Sequence, residues 1–191
     1  MNLAVFLDRD GVITRDPPHF AHRIDQLEII PNSAEAIRIL NENGFKVVVV
    51  SNQSGVARGY YLERDIGVFN QAMEKELKNK GAFIDAIYYC PHHPEGKIEK
   101  YRIDCDCRKP KPGMFKRAEK DLNLDLKQSF MVGDKLTDVG AGYNAGCKPI
   151  LVLTGHGKDE FKKVDKMSIK PNYVSKDLYD SIKIITNRGD Y

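Results

Sequence analysis

The chain has 191 residues, 41% of them apolar and 30% charged, and carries a net charge of +3, so it is read as one domain over residues 1–191 with enough chain to bury a core. No apolar run approaches the roughly 18 residues of a membrane span, and the 30 basic and 27 acidic residues are scattered without a field directed at nucleic acid. A membrane and a nucleic acid are therefore excluded as partners.

The opening "MNLAVFLDRDG" lacks the cationic lead and longer apolar stretch of a secretory signal, which predicts a cytoplasmic protein. Leu3 to Leu7 is a short buried-strand pattern closed by the acidic turn Asp8-Arg9-Asp10-Gly11. An irregular polar stretch from Thr14 to His22 follows. "PNSAEAIRILNENGF" then offers an N-cap at Asn32 or Ser33, apolar residues at helical spacing and a stop at Gly44. Lys46 to Val50 is apolar without alternation, as a strand buried on both faces would be, and ends in "SNQSG".

A second helix is predicted over Leu62 to Lys80, a third strand over Phe83 to Tyr89, and a helix from Pro112 to Leu122. "SFMVGDKLTDVGAGYNAG" repeats the order of strand, acidic turn and helix, and "PILVLTG" is a late strand. Strands alternating with helices predict an α/β fold, a Rossmann-like three-layer sandwich with a mostly parallel sheet. In such a sheet the carboxyl ends of the strands share one rim. Asp8, Asp10, Ser51, Asn52, Asp134 and Lys135 all follow strands and would meet there, with Arg108, Lys109 and Lys111 near by.

Three carboxylates held together repel one another unless a cation neutralises them. Mg²⁺ suits them, because it prefers oxygen ligands and leaves room for a substrate phosphate. An isolated D-x-D pair also caps loops, but here it directly follows a buried strand and is joined by a second acidic turn.

"FLDRDGVI", "SNQSG", "RKPKPGM" and "VGDKLTD" resemble, in order, the four motifs of haloacid dehalogenase-like phosphatases, over Phe6 to about Thr154. The resemblance implies a capless version of that fold and a phosphoric monoester hydrolase. It casts Asp8 as the nucleophile that forms an aspartyl-phosphate, Asp10 as acid and then base, and Ser51 and Lys109 as holders of the phosphoryl oxygens. Mg²⁺ would sit on Asp8, the Asp10 backbone carbonyl and Asp134. Asp138 is left between steadying the acidic loop and capping a turn, and Lys111 is read as a solvated charge. Substrate contacts are implied for Asp8, Asp10, Asp16, Ser51, Asn52, Gln53, Ser54, Arg108, Lys109 and Lys135.

The four cysteines, in a chain without an export signal, are expected to be thiols or metal ligands rather than disulfides. Cys90, His92, Cys105 and Cys107 spell C-x-H and C-x-C at two ends of a loop, 90–107, which suits a closed structural Zn²⁺ site of three thiolates and one imidazole. His93 rivals His92 by spacing. "YYCPHHPEG" with "CDCRKPKPGM" resembles the zinc loop of the heptose bisphosphate and histidinol phosphatase branch, which favours His92. In that branch the heptose bisphosphatases resemble this chain in having a long gap between the ligand pairs and the histidinol phosphatases have a shorter one, so the resemblance implies a heptose bisphosphate over histidinol phosphate. Cys147 is read as a small core residue.

Where that branch commonly reads Asp-His-Gly-Tyr, this chain has Asp16-Pro17-Pro18-His19, and the prolines stiffen the loop. His19 and His22 are each either a sugar contact or a solvated loop residue. A phospho-accepting receiver module also combines an acidic cluster with Mg²⁺ and a lysine. It separates its acidic pair from the phosphorylated Asp on another strand, whereas one "DRD" turn carries both roles here. A small sugar phosphate and a monomer are the expected substrate and state.

Overall fold

The computed structural model describes residues 1–17 and 20–187. Pro18 and His19, and with them the possible sugar contact at His19, lie outside the described residues. Six strands form one sheet: β1 (Ala4–Leu7), β2 (Lys46–Asn52), β3 (Ala86–Cys90), β4 (Phe130–Gly133), β5 (Lys148–Val152) and β6 (Tyr173–Ser175). Their order is β3-β2-β1-β4-β5-β6, and every pairing is parallel.

Successive residues of the strands feed opposite faces, as the pleat requires. Val5, Leu7, Val47 and Val49 pack with Ile37 and Leu40 of α1 (Ser33–Glu42), Met73 and Leu77 of α3 (Glu63–Asn79), and Ile182 and Ile185 of α7 (Leu178–Thr186). On the other face, Phe6, Val48, Val50 and Met131 meet Met114 and Phe115 of α4 (Gly113–Leu122) and Ala141 of α5 (Leu136–Ala145). Cys147 is buried in this second layer, as expected of a small core residue. Two short helices, α2 (Gly55–Arg58) and α6 (Gly157–Phe161), lie at the carboxyl ends of β2 and β5.

Some elements depart from the sequence pattern. The third strand is Ala86–Cys90 rather than 83–89, because Asn41 clamps the backbone of Phe83 from both sides, donating to its carbonyl and accepting its N–H at 3.1 Å each. β2 runs two residues further than expected, since Ser51 and Asn52 still pair with Tyr89 and Cys90. β6 and α7 lie beyond the predicted elements, although α7 has a start signal: Asp177 caps it by accepting the Asp180 N–H at 2.8 Å, ahead of apolar residues at helical spacing.

The sheet order turns around at β1, whose neighbours are β2 and β4. The crevice beyond such a switch point is where open α/β sheets take their ligands. Leu7 lies level with Val49 on one side and Val132 on the other, so the turns after β1, β2 and β4 open onto the same rim. Among the described residues, no helix is long and apolar enough to cross a membrane.

Candidate active site

Asp8 leaves β1 with its N–H donating to the Val132 carbonyl at 3.0 Å, which continues the ladder and fixes the carboxylate at the switch point. The Asp8 Oδ1 accepts the Arg9 N–H at 2.9 Å and faces the Lys109 Nζ at 3.0 Å. Lys109 is only 2% exposed. Its ammonium also reaches Asp138 Oδ1 at 2.6 Å and the Val50 carbonyl at 2.7 Å. Burial alone would raise the Asp8 pKa, but Lys109 and Lys135 outweigh it and hold the carboxylate below its ordinary range. Burial likewise works against charge on Lys109, and Asp138 and Asp8 overcome it, so the lysine's pKa is raised.

Asp138 performs both tasks left open for it. Its Oδ2 accepts the Lys135 N–H at 3.0 Å at the start of α5, and its Oδ1 pairs with Lys109. Asn52 grips the Lys109 backbone, accepting its N–H at 3.0 Å and donating to its carbonyl at 3.1 Å. The lysine is thus positioned from three elements.

Asp134 follows β4 and is fully buried. Its Oδ2 accepts the His156 N–H at 2.8 Å, whereas its Oδ1 has no hydrogen-bond partner among the described residues. Gly11 and Gly155, both at positive φ, crowd it so closely that a Cβ on either would come within 2.3 Å of Oδ2. Burial, with Asp8 and Asp138 adding repulsion, pushes its pKa up to about 8. Oxygens of Asp8, Asp134 and Asp138 lie within 4.8 Å of one another. Buried carboxylates with one oxygen left unpaired fit a hard divalent cation.

Asp10 was expected as an acid and base, but the group that positions it was missed. Arg9, 1% exposed, grips the Asp10 carboxylate with both arms of its guanidinium, Nε to Oδ1 at 3.0 Å and Nη2 to Oδ2 at 2.9 Å. Arg9 in turn donates to Asn70 and to the Ala21 carbonyl and lies 4.3 Å over the Phe69 ring. Gln53 ties Asp10 to the next strand, donating to Asp10 Oδ2 at 2.9 Å and to Ser51 Oγ at 2.8 Å. Removing one partner of a buried charge pair costs about 3 kcal/mol. Arg9→Met is therefore expected to lower the melting temperature by about 6 to 12 °C, measured by thermal unfolding.

These groups open onto a crevice of about 370 Å³ lined by Asp8, Asp10, Ser51, Asn52, Lys109, Lys135, Asp16 and Asp138, with Pro17, Phe20, Thr137 and His156 completing the wall. Asp16 Oδ2 takes both the Lys135 ammonium and the His156 Nε2 at 3.2 Å. His156 was not among the expected residues, because its loop after β5 carries no motif. Gln53 and Ser54 lie buried in the turn behind the wall rather than on it. His22 stacks on Tyr61, their centroids 4.7 Å apart, and Lys111 pairs with Asp104 at the surface.

The cysteine loop closes on itself beside this crevice. Cys90, His92, Cys105 and Cys107 bring their ligand atoms within 4.8 Å of one another. Sulfur separations of 3.4 Å for Cys90 to Cys105 and 3.2 Å for Cys105 to Cys107 are too long for disulfide bonds of about 2.05 Å and near the edges of a tetrahedral metal shell. A hydrogen bond with Cys90 holds the Cys107 thiol down to about 5 against its burial. His93 turns away: its Nε2 lies 3.0 Å from Arg58 Nη2 and its Nδ1 accepts the Glu95 N–H at 3.1 Å. The choice between the two histidines falls to His92 as the residue that could join a metal.

A curated relative from Pasteurella multocida, a D-glycero-beta-D-manno-heptose-1,7-bisphosphate 7-phosphatase, is 46% identical over 186 residues, 97% of each chain. The chain belongs to the family of haloacid dehalogenase-like phosphatases. The Escherichia coli K12 enzyme of the same name is 47% identical over 154 residues, 80% of each chain. Residues 106–181 match a family model described as HAD-hydrolase-like. The solved structure of D,D-heptose 1,7-bisphosphate phosphatase from B. bronchiseptica, complexed with magnesium and phosphate, is 33% identical. It superposes with a TM-score of 0.86, covering 99% of this chain and all of that one. The parallel sheet with flanking helices is thus the haloacid dehalogenase-like fold, and this phosphatase is a phosphoric monoester hydrolase of a family that uses Mg²⁺.

Proposed function

We propose that this phosphatase removes the 7-phosphate of D-glycero-D-manno-heptose 1,7-bisphosphate, leaving heptose 1-phosphate for nucleotide-heptose synthesis, and that it acts as a cytoplasmic monomer. The observation that carries the chemistry is the Asp8 carboxylate, kept ionised at the switch point by a buried lysine. The sugar is supported by relatives of that name matching nearly the whole chain.

Asp8 attacks phosphorus in line, forming a P–O bond as the bond to the sugar oxygen breaks. Asp10, held by Arg9 and Gln53, gives its proton to that leaving oxygen. It then takes a proton from the water that hydrolyses the aspartyl-phosphate, so one side chain serves both halves of the reaction. Lys109 and Ser51 hold phosphoryl oxygens, and Asn52 keeps Lys109 in place. Asp16 and Lys135 contact the sugar side, and Arg108 reaches for the distal phosphate with a planar fork. Mg²⁺ held by Asp8, the Asp10 carbonyl and Asp134 would offset the charge on the transferring group. Zn²⁺ at Cys90, His92, Cys105 and Cys107 would brace the loop that leads into Arg108 and Lys109.

Turnover of heptose 1,7-bisphosphate and histidinol phosphate by the purified, Mg²⁺-supplied enzyme tests the substrate. A kcat/KM for the heptose at least about 100-fold higher is expected, an advantage of about 2.7 kcal/mol in transition-state binding. Equal values, or a preference for histidinol phosphate, would reject the reading.

A further inference from the structure

We propose that Tyr61 is a positioning residue for phosphoryl transfer: its hydroxyl fixes the orientation of the Gln53 amide and, through that amide, directs the proton of Asp10 and the hydroxyl of Ser51. The inference rests on the reading of Asp10 as acid and base. Tyr61 stands outside the crevice wall and eight residues beyond Gln53, so it acts only through the groups it holds.

Gln53 is buried, and both ends of its amide are engaged. Nε2 donates to Asp10 Oδ2 at 2.9 Å and to Ser51 Oγ at 2.8 Å, while Oε1 accepts the Tyr61 hydroxyl at 2.7 Å. A primary amide has two N–H donors at one end and an acceptor at the other, and a half-turn exchanges them. The exchanged amide would press Oε1 against the Asp10 carboxylate and set its NH₂ against the Tyr61 O–H, donor against donor. A buried polar group stranded in that way costs its desolvation as well as the lost hydrogen bond.

Asp10 enforces the observed orientation only while it is ionised. Once protonated, as it is when it serves as acid, its carboxyl can donate as well as accept. A turned amide would then draw the proton of Asp10 to Oε1 and away from the leaving sugar oxygen. Tyr61 opposes that turn in either protonation state, because its O–H keeps Oε1 occupied and so keeps the NH₂ facing Asp10. Ser51 gains from the same arrangement. Its Oγ accepts from the amide, so its own hydrogen points elsewhere, and Ser51 lines the crevice where a phosphoryl oxygen would take it.

The phenol ring is itself immobilised. Tyr61 is 6% exposed and packs with Val56 and Ile66. His22 stacks on it with the two planes 8° apart, and the ring of Phe20, which lines the crevice, lies 6.2 Å away. Gly55 comes so close that a Cβ there would lie 2.1 Å from Tyr61 Cε1, so the turn that carries Gln53 is built around this ring. Burial raises the pKa of the hydroxyl above its ordinary value, and the proton that Gln53 accepts is therefore retained.

The test is a double-mutant cycle on the Mg²⁺-supplied enzyme, with wild type, Tyr61→Phe, Gln53→Met and the double variant turning over heptose 1,7-bisphosphate. Tyr61→Phe keeps the ring and removes one oxygen, and is expected to lower kcat about tenfold with KM within about twofold. In the Gln53→Met background the same change should alter kcat by less than about twofold, since no amide is left to orient. A merely structural role would lower turnover equally in both backgrounds. If Gln53→Met fails to fold, para-nitrophenyl phosphate decides, because its leaving group departs without a proton: Tyr61→Phe should cost its kcat/KM at least about threefold less than it costs the sugar phosphate. Equal losses in both backgrounds, equal losses on both substrates, or a wild-type kcat in Tyr61→Phe would overturn the inference. Asp10→Asn tells its failure from that of the reading beneath it. Wild-type turnover in Asp10→Asn would remove the acid and base and Tyr61 with them, whereas an inactive Asp10→Asn beside an unimpaired Tyr61→Phe would remove Tyr61 alone.

Discussion

Asp8→Asn is expected to lower kcat by about four orders of magnitude or more, with the fold and metal-loop unaltered. An amide has the carboxylate's shape but is a poor nucleophile, so the P–O bond to the enzyme does not form. The substitution also separates chemistry from folding. Lys109 keeps Asp138 at 2.6 Å and the Val50 carbonyl at 2.7 Å, and the amide oxygen still accepts from the Arg9 N–H. Steady-state turnover with excess Mg²⁺ measures the loss, and mass spectrometry of the quenched wild type should find one added phosphoryl group that Asp8→Asn lacks. Hydrolysis at the wild-type rate by the variant would mean that water attacks phosphorus directly and that no aspartyl-phosphate lies on the path.

The acidic turns were legible because each follows an apolar run without alternation, and a parallel sheet brings such ends to one rim. Asp8 and Asp134 could be placed together from sequence for that reason. What holds them could not. Arg9 sits inside the same D-x-D turn and carries no signal of its own, since its partners Asn70, Phe69 and Ala21 come from distant segments and only the folded chain assembles them. The depth of Lys109 was hidden in the same way: its neighbour Lys111 has the same charge and lies 42% exposed by side chain against 1% for Lys109. His92 and His93 were indistinguishable by spacing and are separated in space by Arg58, which draws one of them out of the cysteine cluster. β6 was missed for a plainer reason: a three-residue strand is too short to show a period.

Cys105→Ser should cost stability far more than it costs chemistry. Cys90 ends a strand and is fully buried, while Cys105 and Cys107 are fifteen and seventeen residues further on in a loop without regular strand or helix beyond one short turn at Glu99–Tyr101. A cross-link closing a loop of about 15 residues contributes about 3 kcal/mol. A metal tie of similar span, lost with one thiolate, should therefore lower the melting temperature by about 6 to 12 °C. The wild type should carry about one equivalent of tightly held zinc by elemental analysis, and the variant clearly less. The effect on kcat should stay within about tenfold, because Lys109 is held from outside the loop, by Asn52, Asp138 and the Val50 carbonyl. Arg108 has no such anchor. Among the described residues its guanidinium is tied only to the His92 carbonyl within the same cluster, so loosening the loop should appear first in KM for a substrate with a second phosphate. A zinc-free wild type with undiminished stability would remove the brace, and a collapse of kcat in Cys105→Ser with KM unchanged would mean that the cluster positions Lys109 after all.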